Sequence, residues 1–130
     1  MTRGRCLCGA VTFEYDGEVN WRGHCHCESC RRNCSAPMTT FFGVNNTQWR
    51  WTGEPPKAYR SSPKAMRYFC ENCGTPMAYT HEKFDHETHF YAASLENPEN
   101  FVPTVHFFYS EKLPWLLIND DLKKNPVGGL

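Results

Sequence analysis

The sequence lacks the features that mark a membrane protein or a nucleic-acid-binding protein. Its 14 basic and 14 acidic residues balance to a formal net charge of zero, so no charge excess favours nucleic acid or an anionic membrane as partner. No run of about 18 apolar residues is present, which argues against a transmembrane helix. The first residues, MTRGRCLCGAVTFEY, contain no continuous apolar stretch of the kind found in signal peptides. We therefore expect a cytoplasmic protein whose thiols stay reduced.

Repeats, low-complexity tracts and linkers are also absent, and 130 residues suffice for one hydrophobic core but not for two. Aromatic residues are plentiful, with nine Phe, six Tyr and four Trp, and nine Pro and nine Gly punctuate the chain. This composition favours a mainly β core over a helical bundle. We predict a single domain over residues 1–122 and a loose C-terminal tail over residues 123–130.

Local patterns predict most of the secondary structure. Apolar and polar positions alternate in residues 10–15, as in a half-buried strand. Residues 38–44 and 47–52 predict the two strands of one hairpin, with an Asn-Asn turn between them. A short helical turn is predicted over residues 31–36, because Pro37 disfavours helical backbone in the residue before it. Further strands are predicted over residues 19–24, 64–69, 76–80, 89–93 and 105–109.

The eight cysteines fall into groups whose spacing is typical of metal ligands. The groups are the pair Cys6 and Cys8, the trio Cys25, Cys27 and Cys30, the single Cys34, and the pair Cys70 and Cys73. We call the two pairs the outer cysteines and the trio the inner cysteines. Four thiolates from the outer cysteines would close the shell of a structural zinc ion and clamp the N-terminal strand to the middle of the chain. The spacing also allows Cys25 and Cys27 to join the second pair instead.

The inner cysteines lie in one short loop and leave a tetrahedral ion one ligand short. The fourth position can be taken by Cys34, which would close the site, by His24 or His26, or by an exchangeable molecule. Three thiolates on Zn²⁺ leave a net charge of −1, which suits a bound thiol better than the activation of water. An open inner site therefore predicts zinc-dependent attack of a sulfur nucleophile on a small electrophile.

Ordered motifs over nearly the whole chain resemble those of the glutathione-dependent formaldehyde-activating enzyme (GFA) family, which also includes centromere protein V. The motifs are GRCLCGAV from residue 4, HCHCESCRR from residue 24, Ala36-Pro37, GEP from residue 53, SSP from residue 61, RYFCENCGTP from residue 67, and Pro103, His106, Lys112 and Trp115. The chain departs from the family pattern after Cys30, where Cys34 is an additional thiol and Ser35 replaces the usual glycine.

The resemblance implies a fold, two metal sites and an activity. The implied fold is mainly β, of the β-tent (Mss4-like) kind, with sheets packed around a structural zinc ion held by the outer cysteines. The inner cysteines are implied to hold a second, catalytic zinc ion. The founding activity of the family is condensation of glutathione with formaldehyde to S-(hydroxymethyl)glutathione, classed as a carbon–sulfur lyase reaction.

Basic residues and histidines close to these motifs are further candidates. Arg31 and Arg32 follow the inner cysteines directly and are candidates to bind glutathione carboxylates, since Arg pairs with carboxylates bidentately. Exposed surface charge is the alternative for both, and Arg67 is a weaker candidate of the same kind. His26 can act as a proton shuttle, although its alternation with the cysteines favours a structural hydrogen bond. His106 lies between apolar neighbours and is expected in the core.

Two classes of function follow from these sites. The first is a zinc-dependent enzyme that handles a small thiol such as glutathione, with two zinc ions as cofactors. The second is a non-catalytic zinc-binding module that binds a partner or senses zinc or redox state. Ligation by Cys34 would favour the module, because it closes the inner site. We favour the enzyme.

Overall fold

The computed structural model describes residues 1–128. Within them, the chain forms eleven strands and one α-helix, α1, over Glu28–Cys34. The strands are β1 Thr2–Arg5, β2 Thr12–Tyr15, β3 Trp21–Cys25, β4 Thr39–Asn45, β5 Trp49–Trp51, β6 Lys57–Ser62, β7 Ala65–Phe69, β8 Pro76–His81, β9 Glu87–Tyr91, β10 Val105–Phe107 and β11 Lys123–Lys124. No helix in the described range has both the length and the apolar character needed to cross a membrane.

Two sheets make up the fold. The smaller is antiparallel and has the strand order β1-β2-β5, and the larger has the order β11-β10-β3-β4-β9-β8-β7-β6. Strand β10 runs parallel to both β3 and β11, whereas the other pairs are antiparallel. A bridge between Gly4 and Leu95 connects β1 to the segment that follows β9. The prediction of a mainly β, single-domain fold is confirmed.

Aromatic side chains fill the space between the sheets. Phe13 of the small sheet and Phe42 and Phe90 of the large sheet are fully buried. The rings of Phe13 and Phe90 stack with their centroids 4.2 Å apart, and Trp51 meets Phe13 edge-on at 6.2 Å. Buried aromatic pairs combine a large apolar area with favourable ring geometry, so this cluster holds the two sheets together.

The predicted hairpin over residues 38–44 and 47–52 is wrong. Asn45 does start a turn, since its carbonyl accepts from Gln48 N at 2.9 Å. Strand β4, however, pairs with β3 and β9 in the large sheet, whereas β5 pairs with β2 in the small one. The chain crosses between sheets here because Trp49 and Trp51 pack onto Phe90 in the core.

The alternation predicted in residues 10–15 also fails at one position. Phe13 and Glu14 are adjacent on β2, and both are buried. Glu14 stays inside because its carboxylate accepts hydrogen bonds from Arg3 Nε at 3.3 Å and Arg50 Nε at 2.6 Å. Ionic partners on both neighbouring strands thus allow a carboxylate where a period-two pattern predicts an exposed side chain.

The C-terminal tail differs from the loose segment predicted for residues 123–130. Strand β11 adds to the edge of the large sheet beside β10, and Asn125 N donates to His106 O at 2.9 Å. These backbone bonds order the chain past residue 122. Residues 129–130 lie outside the described range, and the domain boundary at residue 122 stays a prediction.

Glu87 is a buried carboxylate at the start of β9. Its Oε2 accepts from His89 Nε2 at 2.6 Å and Trp21 Nε1 at 2.9 Å, and its Oε1 accepts from Asn20 Nδ2 at 2.9 Å. Burial opposes ionisation, but the hydrogen bonds from these three donors lower the pKa of Glu87 to about 2. The ionised carboxylate is therefore a stabilising anchor for β3 against β9.

We expect Glu87→Gln to lower the free energy of unfolding by about 1.5–3 kcal/mol near neutral pH, because hydrogen bonds to a charged acceptor are lost. Because the pKa of Glu87 is lower in the folded state than in the unfolded state, where it is about 4.3, its ionisation stabilises the fold at pH values above about 4.3. This contribution is lost as the pH falls towards about 2. The difference from wild type, measured by urea denaturation, should therefore shrink across that window. Glu18→Gln, at an exposed position, is the control, and equal stability of both variants would contradict the prediction.

Candidate metal centres

The outer cysteines lie on two similar tight turns. The first follows β1, where Gly9 N donates to Cys6 O at 3.2 Å, and the second joins β7 to β8, where Gly74 N donates to Cys70 O at 2.7 Å. Both glycines have a positive φ, 84° at Gly9 and 80° at Gly74, which glycine adopts without steric strain. Each turn folds its two sulfur atoms back towards one point.

All four outer sulfur atoms lie within 4.8 Å of one another. Cys6 Sγ and Cys8 Sγ are 3.6 Å apart, and Cys8 Sγ and Cys70 Sγ are 3.7 Å apart. A tetrahedron with Zn–S bonds of about 2.3 Å has sulfur–sulfur edges of about 3.8 Å. The outer cysteines therefore fit a zinc ion with a closed shell of four thiolates.

This cluster joins the two sheets, because Cys6 extends from β1 in the small sheet and Cys70 from β7 in the large one. Thr75 reinforces the joint. Its hydroxyl accepts from Leu7 N at 3.0 Å and lies 3.2 Å from Cys73 Sγ. The hydrogen bond from that hydroxyl, helped by backbone N–H groups, lowers the pKa of Cys73 to about 5, which favours the thiolate that a metal ion requires.

The inner cysteines surround the start of α1. Cys25 ends β3, and Cys27 is the N-cap residue of α1, with its Sγ accepting from Cys30 N at 3.4 Å. The three sulfur atoms lie within 4.8 Å of one another, and Cys25 Sγ is 3.8 Å from Cys30 Sγ. These distances also fit a zinc ion, here with three thiolates. The helix thus begins three residues earlier than the turn predicted over residues 31–36.

Cys34 lies near the inner cysteines, since it packs against the buried cluster that contains Cys25 and Cys30. Among the described residues, its sulfur does not belong to the group of three that lie within 4.8 Å of one another, and it faces Asn33 Nδ2 at 3.7 Å. Ser35 closes α1 with φ of 50°, in the left-handed region. Glycine adopts this conformation without steric strain, whereas a residue with a side chain such as Ser35 adopts it less readily.

A buried arginine contacts the inner cysteines. Arg67 on β7 is 5% exposed, and its Nη2 lies 2.8 Å from Ser29 Oγ and 3.7 Å from Cys30 Sγ. Its Nη1 donates to Tyr91 Oη at 3.3 Å. Arg67 is therefore not the exposed carboxylate-binding candidate expected above. Its alternation with the buried Ala65 in β7 is the sequence signal that places it inside.

Because the three inner thiols lie close together, their pKa values shift in opposite directions. Hydrogen bonds from Cys25 and Cys27, aided by the charge of Arg67, lower the pKa of Cys30 to about 3. The neighbouring sulfurs and burial raise the pKa of Cys25 instead. Three adjacent thiols cannot all ionise without a compensating cation, so this arrangement matches the donor set of a metal ion.

The C-terminal segment holds the loop of the inner cysteines in place. His26 N donates to Phe107 O at 3.0 Å, and Glu28 N donates to Glu111 Oε1 at 2.9 Å. Because β10 pairs in parallel with β3 from Gly23 to Cys25, it lies beside the strand end that leads into the loop. Local sequence patterns contain no signal for this contact, since its partners lie about eighty residues apart in the chain.

Two buried histidines and one carboxylate form a chain of hydrogen bonds behind the loop. His26 Nε2 and His106 Nδ1 are 2.9 Å apart, and His106 Nε2 donates to Asp120 Oδ2 at 2.8 Å. Burial, followed by the charge of His106, lowers the pKa of His26 to about 4, so this imidazole is neutral near physiological pH. The predicted core position of His106 agrees with its exposure of 1%. Within the described residues, Nδ1 of His26 is buried without a hydrogen-bond partner.

Arg31 and Arg32 are engaged with groups near α1. Arg32 Nε pairs with Glu28 Oε2 at 2.7 Å on the exposed side of the helix, and Arg31 Nε donates to His26 O at 3.4 Å. Their predicted contact with glutathione carboxylates stays a prediction.

A surface cavity of about 520 Å³ lies beside both clusters. Its lining includes Cys34 and Tyr91 from the side of the inner cysteines, Cys6 and Thr75 from the side of the outer cysteines, and Arg5. The inner sulfur atoms do not line it. Tyr91 links the cavity to the inner cysteines. Its side chain lines the cavity, and its hydroxyl accepts a hydrogen bond from Arg67, which contacts Cys30.

Comparisons with known proteins agree with this geometry. The family model described as glutathione-dependent formaldehyde-activating enzyme matches residues 1–111. An uncharacterized lyase of Schizosaccharomyces pombe (strain 972) is 40% identical over 82 residues, which are 62% of this chain and only 59% of that protein. The crystal structure of a Rhodobacter sphaeroides protein has a TM-score of 0.62 at 24% identity, covers 78% of this chain and 97% of that chain, and supports the fold alone. Since the family model matches most of the chain, this protein belongs to the GFA family.

Proposed function

We propose that this protein is a zinc-dependent enzyme of the carbon–sulfur lyase type that joins a small thiol to a small aldehyde, with glutathione and formaldehyde as the favoured pair. The observation that carries the proposal is the arrangement of the inner cysteines. Three sulfur atoms converge on one point, and among the described residues the sulfur of Cys34 lies outside their group. A zinc ion held by Cys25, Cys27 and Cys30 would keep one position for an exchangeable ligand. Family membership and the name of the fission-yeast relative support a lyase-type reaction.

The reaction forms one carbon–sulfur bond. The sulfur of the thiol attacks the carbonyl carbon, the C=O bond becomes a C–O single bond, and the S–H proton ends on that oxygen, so no oxidant or reductant is consumed. Zinc bound at the inner cysteines would supply a positive centre that lowers the pKa of the incoming thiol. The chain itself keeps the three sulfur atoms in place through β3, α1 and the contact of Arg67 with Cys30.

The cavity beside Tyr91 is our proposed binding site for the body of the thiol substrate. Its volume of about 520 Å³ is within the range of small-molecule sites. Arg5 on its rim is a candidate to receive a substrate carboxylate, and Arg31 and Arg32 remain candidates if they exchange their present partners. A reduced compartment such as the cytoplasm would suit both the thiols and the substrate.

We propose that the outer cysteines hold a second zinc ion with a structural role. Four thiolates complete a tetrahedral shell and leave no position for a substrate. The cluster joins the two sheets, and its closed shell keeps it out of the chemistry even though Cys6 lies beside the cavity, so its contribution is to folding. The enzyme would then carry two zinc ions with separate duties.

Native mass spectrometry with and without glutathione tests this proposal. We expect two zinc ions per chain and an added mass of one thiol when glutathione is present, because the inner site has a free position. Cys27→Ser should retain one ion and lose the thiol adduct. This variant should also form S-(hydroxymethyl)glutathione no faster than the uncatalysed reaction, as measured by NMR exchange. The matched control Cys34→Ser should keep both ions.

The same experiment separates the enzyme from the non-catalytic module. If Cys34→Ser releases the inner ion, Cys34 is a ligand and the site is closed. A wild-type protein that holds two ions but never takes up a thiol would also refute the enzyme and favour a zinc-binding module.

A further inference from the structure

Arg67 is a buried cation without a carboxylate partner. Only 5% of it is exposed, and none of the ion pairs among residues 1–128 includes it. An unpaired charge in the interior is strongly destabilising, so buried arginines are normally matched by an anion. The neutral groups around Arg67 orient it but do not neutralise it. They are Ser29 Oγ at 2.8 Å, Tyr91 Oη at 3.3 Å and the ring of Tyr79 at 4.7 Å from Cζ.

The remaining neighbour that can carry a negative charge is the sulfur of Cys30. Nη2 of Arg67 lies 3.7 Å from Cys30 Sγ, within the range of a charge-assisted contact to sulfur. The position is built from three elements, since Arg67 belongs to β7, Cys30 and Ser29 to α1, and Tyr91 to β9. The fold therefore places a fixed positive charge against a ligand atom of the inner site.

We infer that Arg67 is the counter-ion of the inner metal site, a positioning residue that neutralises the site and so sets how tightly it holds zinc. The inference rests on the proposed function in one respect, namely that the inner cysteines bind zinc. Zn²⁺ with three thiolates carries a charge of −1, and the guanidinium of Arg67 brings the sum to zero. A neutral site can be buried at lower free-energy cost than an anionic one.

The geometry indicates why the residue is arginine. One planar guanidinium contacts Tyr91 with one terminal nitrogen, and Ser29 and Cys30 with the other, while its face lies over Tyr79. A lysine would preserve the charge but not this set of simultaneous contacts. Glutamine would preserve hydrogen bonding without the charge. The two substitutions therefore separate charge from hydrogen bonding.

Chelator competition on the zinc-loaded protein tests the inference. Residues that support a metal ligand typically change metal affinity by about 10- to 100-fold. We expect Arg67→Gln and Arg67→Met to release the inner ion at chelator concentrations lower by a factor in that range, and Arg67→Lys to recover part of the loss. Arg60→Met, on exposed β6, is the matched control and should match wild type. Cys27→Ser retains a single ion, so its release curve identifies the outer site. The release of this outer ion should be the same in the Arg67 variants as in wild type.

The outcomes distinguish this inference from the proposed function. If Arg67→Gln releases both ions as wild type does, or if Arg67→Lys is no better than Arg67→Gln, Arg67 is not the counter-ion. A wild-type protein that binds only one ion per chain overturns the proposed inner metal site and, with it, this inference. If Arg67→Met does not fold, the Gln and Lys variants decide the question by themselves.

Discussion

Cys73→Ser is expected to unfold the domain, whereas Cys27→Ser should leave it folded. Removal of Cys73 breaks the cluster that joins the small and large sheets. Structural zinc ions contribute about 10–16 kcal/mol in small zinc domains, which is similar in size to the total stability of about 5–15 kcal/mol for a typical domain.

Cys27→Ser is milder for two reasons. The loop of the inner cysteines is also held by backbone bonds to β10, and serine is itself a favourable N-cap residue for α1. Circular dichroism melts combined with a zinc count should show one ion and near-wild-type melting for Cys27→Ser, and a largely unfolded chain for Cys73→Ser. Cys34→Ser serves as the thiol-matched control. Indistinguishable melts for the Cys27 and Cys73 variants would refute the division into a structural and a catalytic site.

His106→Ala is expected to destabilise the protein by about 3–5 kcal/mol, the sum of a buried cavity and an unpaired polar group. The ring of His106 is 1% exposed and connects His26 to Asp120. Its removal leaves both nitrogens of His26 without a partner within the described residues. Urea denaturation measures the loss as a shift in the midpoint.

Two further variants serve as comparisons for His106→Ala. His106→Gln can restore part of the hydrogen-bond chain and should lie between alanine and wild type. His86→Ala, at a side chain that is 63% exposed, should change stability by less than about 0.5 kcal/mol. A loss below about 1 kcal/mol for His106→Ala would show that the chain of hydrogen bonds contributes little to stability.

The grouping of the cysteines and the positions of most strands were determined by the sequence. Tight turns such as Cys70-x-x-Cys73-Gly74 span only four or five residues, so their geometry depends on local backbone preferences and on a glycine with positive φ. The strand predictions over residues 64–69 and 76–80 agree closely with β7 and β8. Period-two patterning is likewise a local property of the chain.

Which cysteine pairs meet was left open by spacing alone, and only the tertiary structure decided it. The two outer pairs come together because β1 and β7 belong to sheets that pack face to face over Phe13 and Phe90. The failed hairpin has the same cause, since the choice of sheet for β5 depends on the burial of its tryptophans and not on the turn before it.

The surroundings of the inner cysteines were also decided by the tertiary structure. Arg67 and Asp120 lie far from the loop in sequence, yet one contacts Cys30 and the other ends the hydrogen-bond chain that begins at His26. A sequence specifies which residues can bind a metal ion, because ligand chemistry belongs to the side chain. It does not specify which charges and hydrogen bonds reach those ligands, because these depend on long-range packing of strands that are distant in the chain.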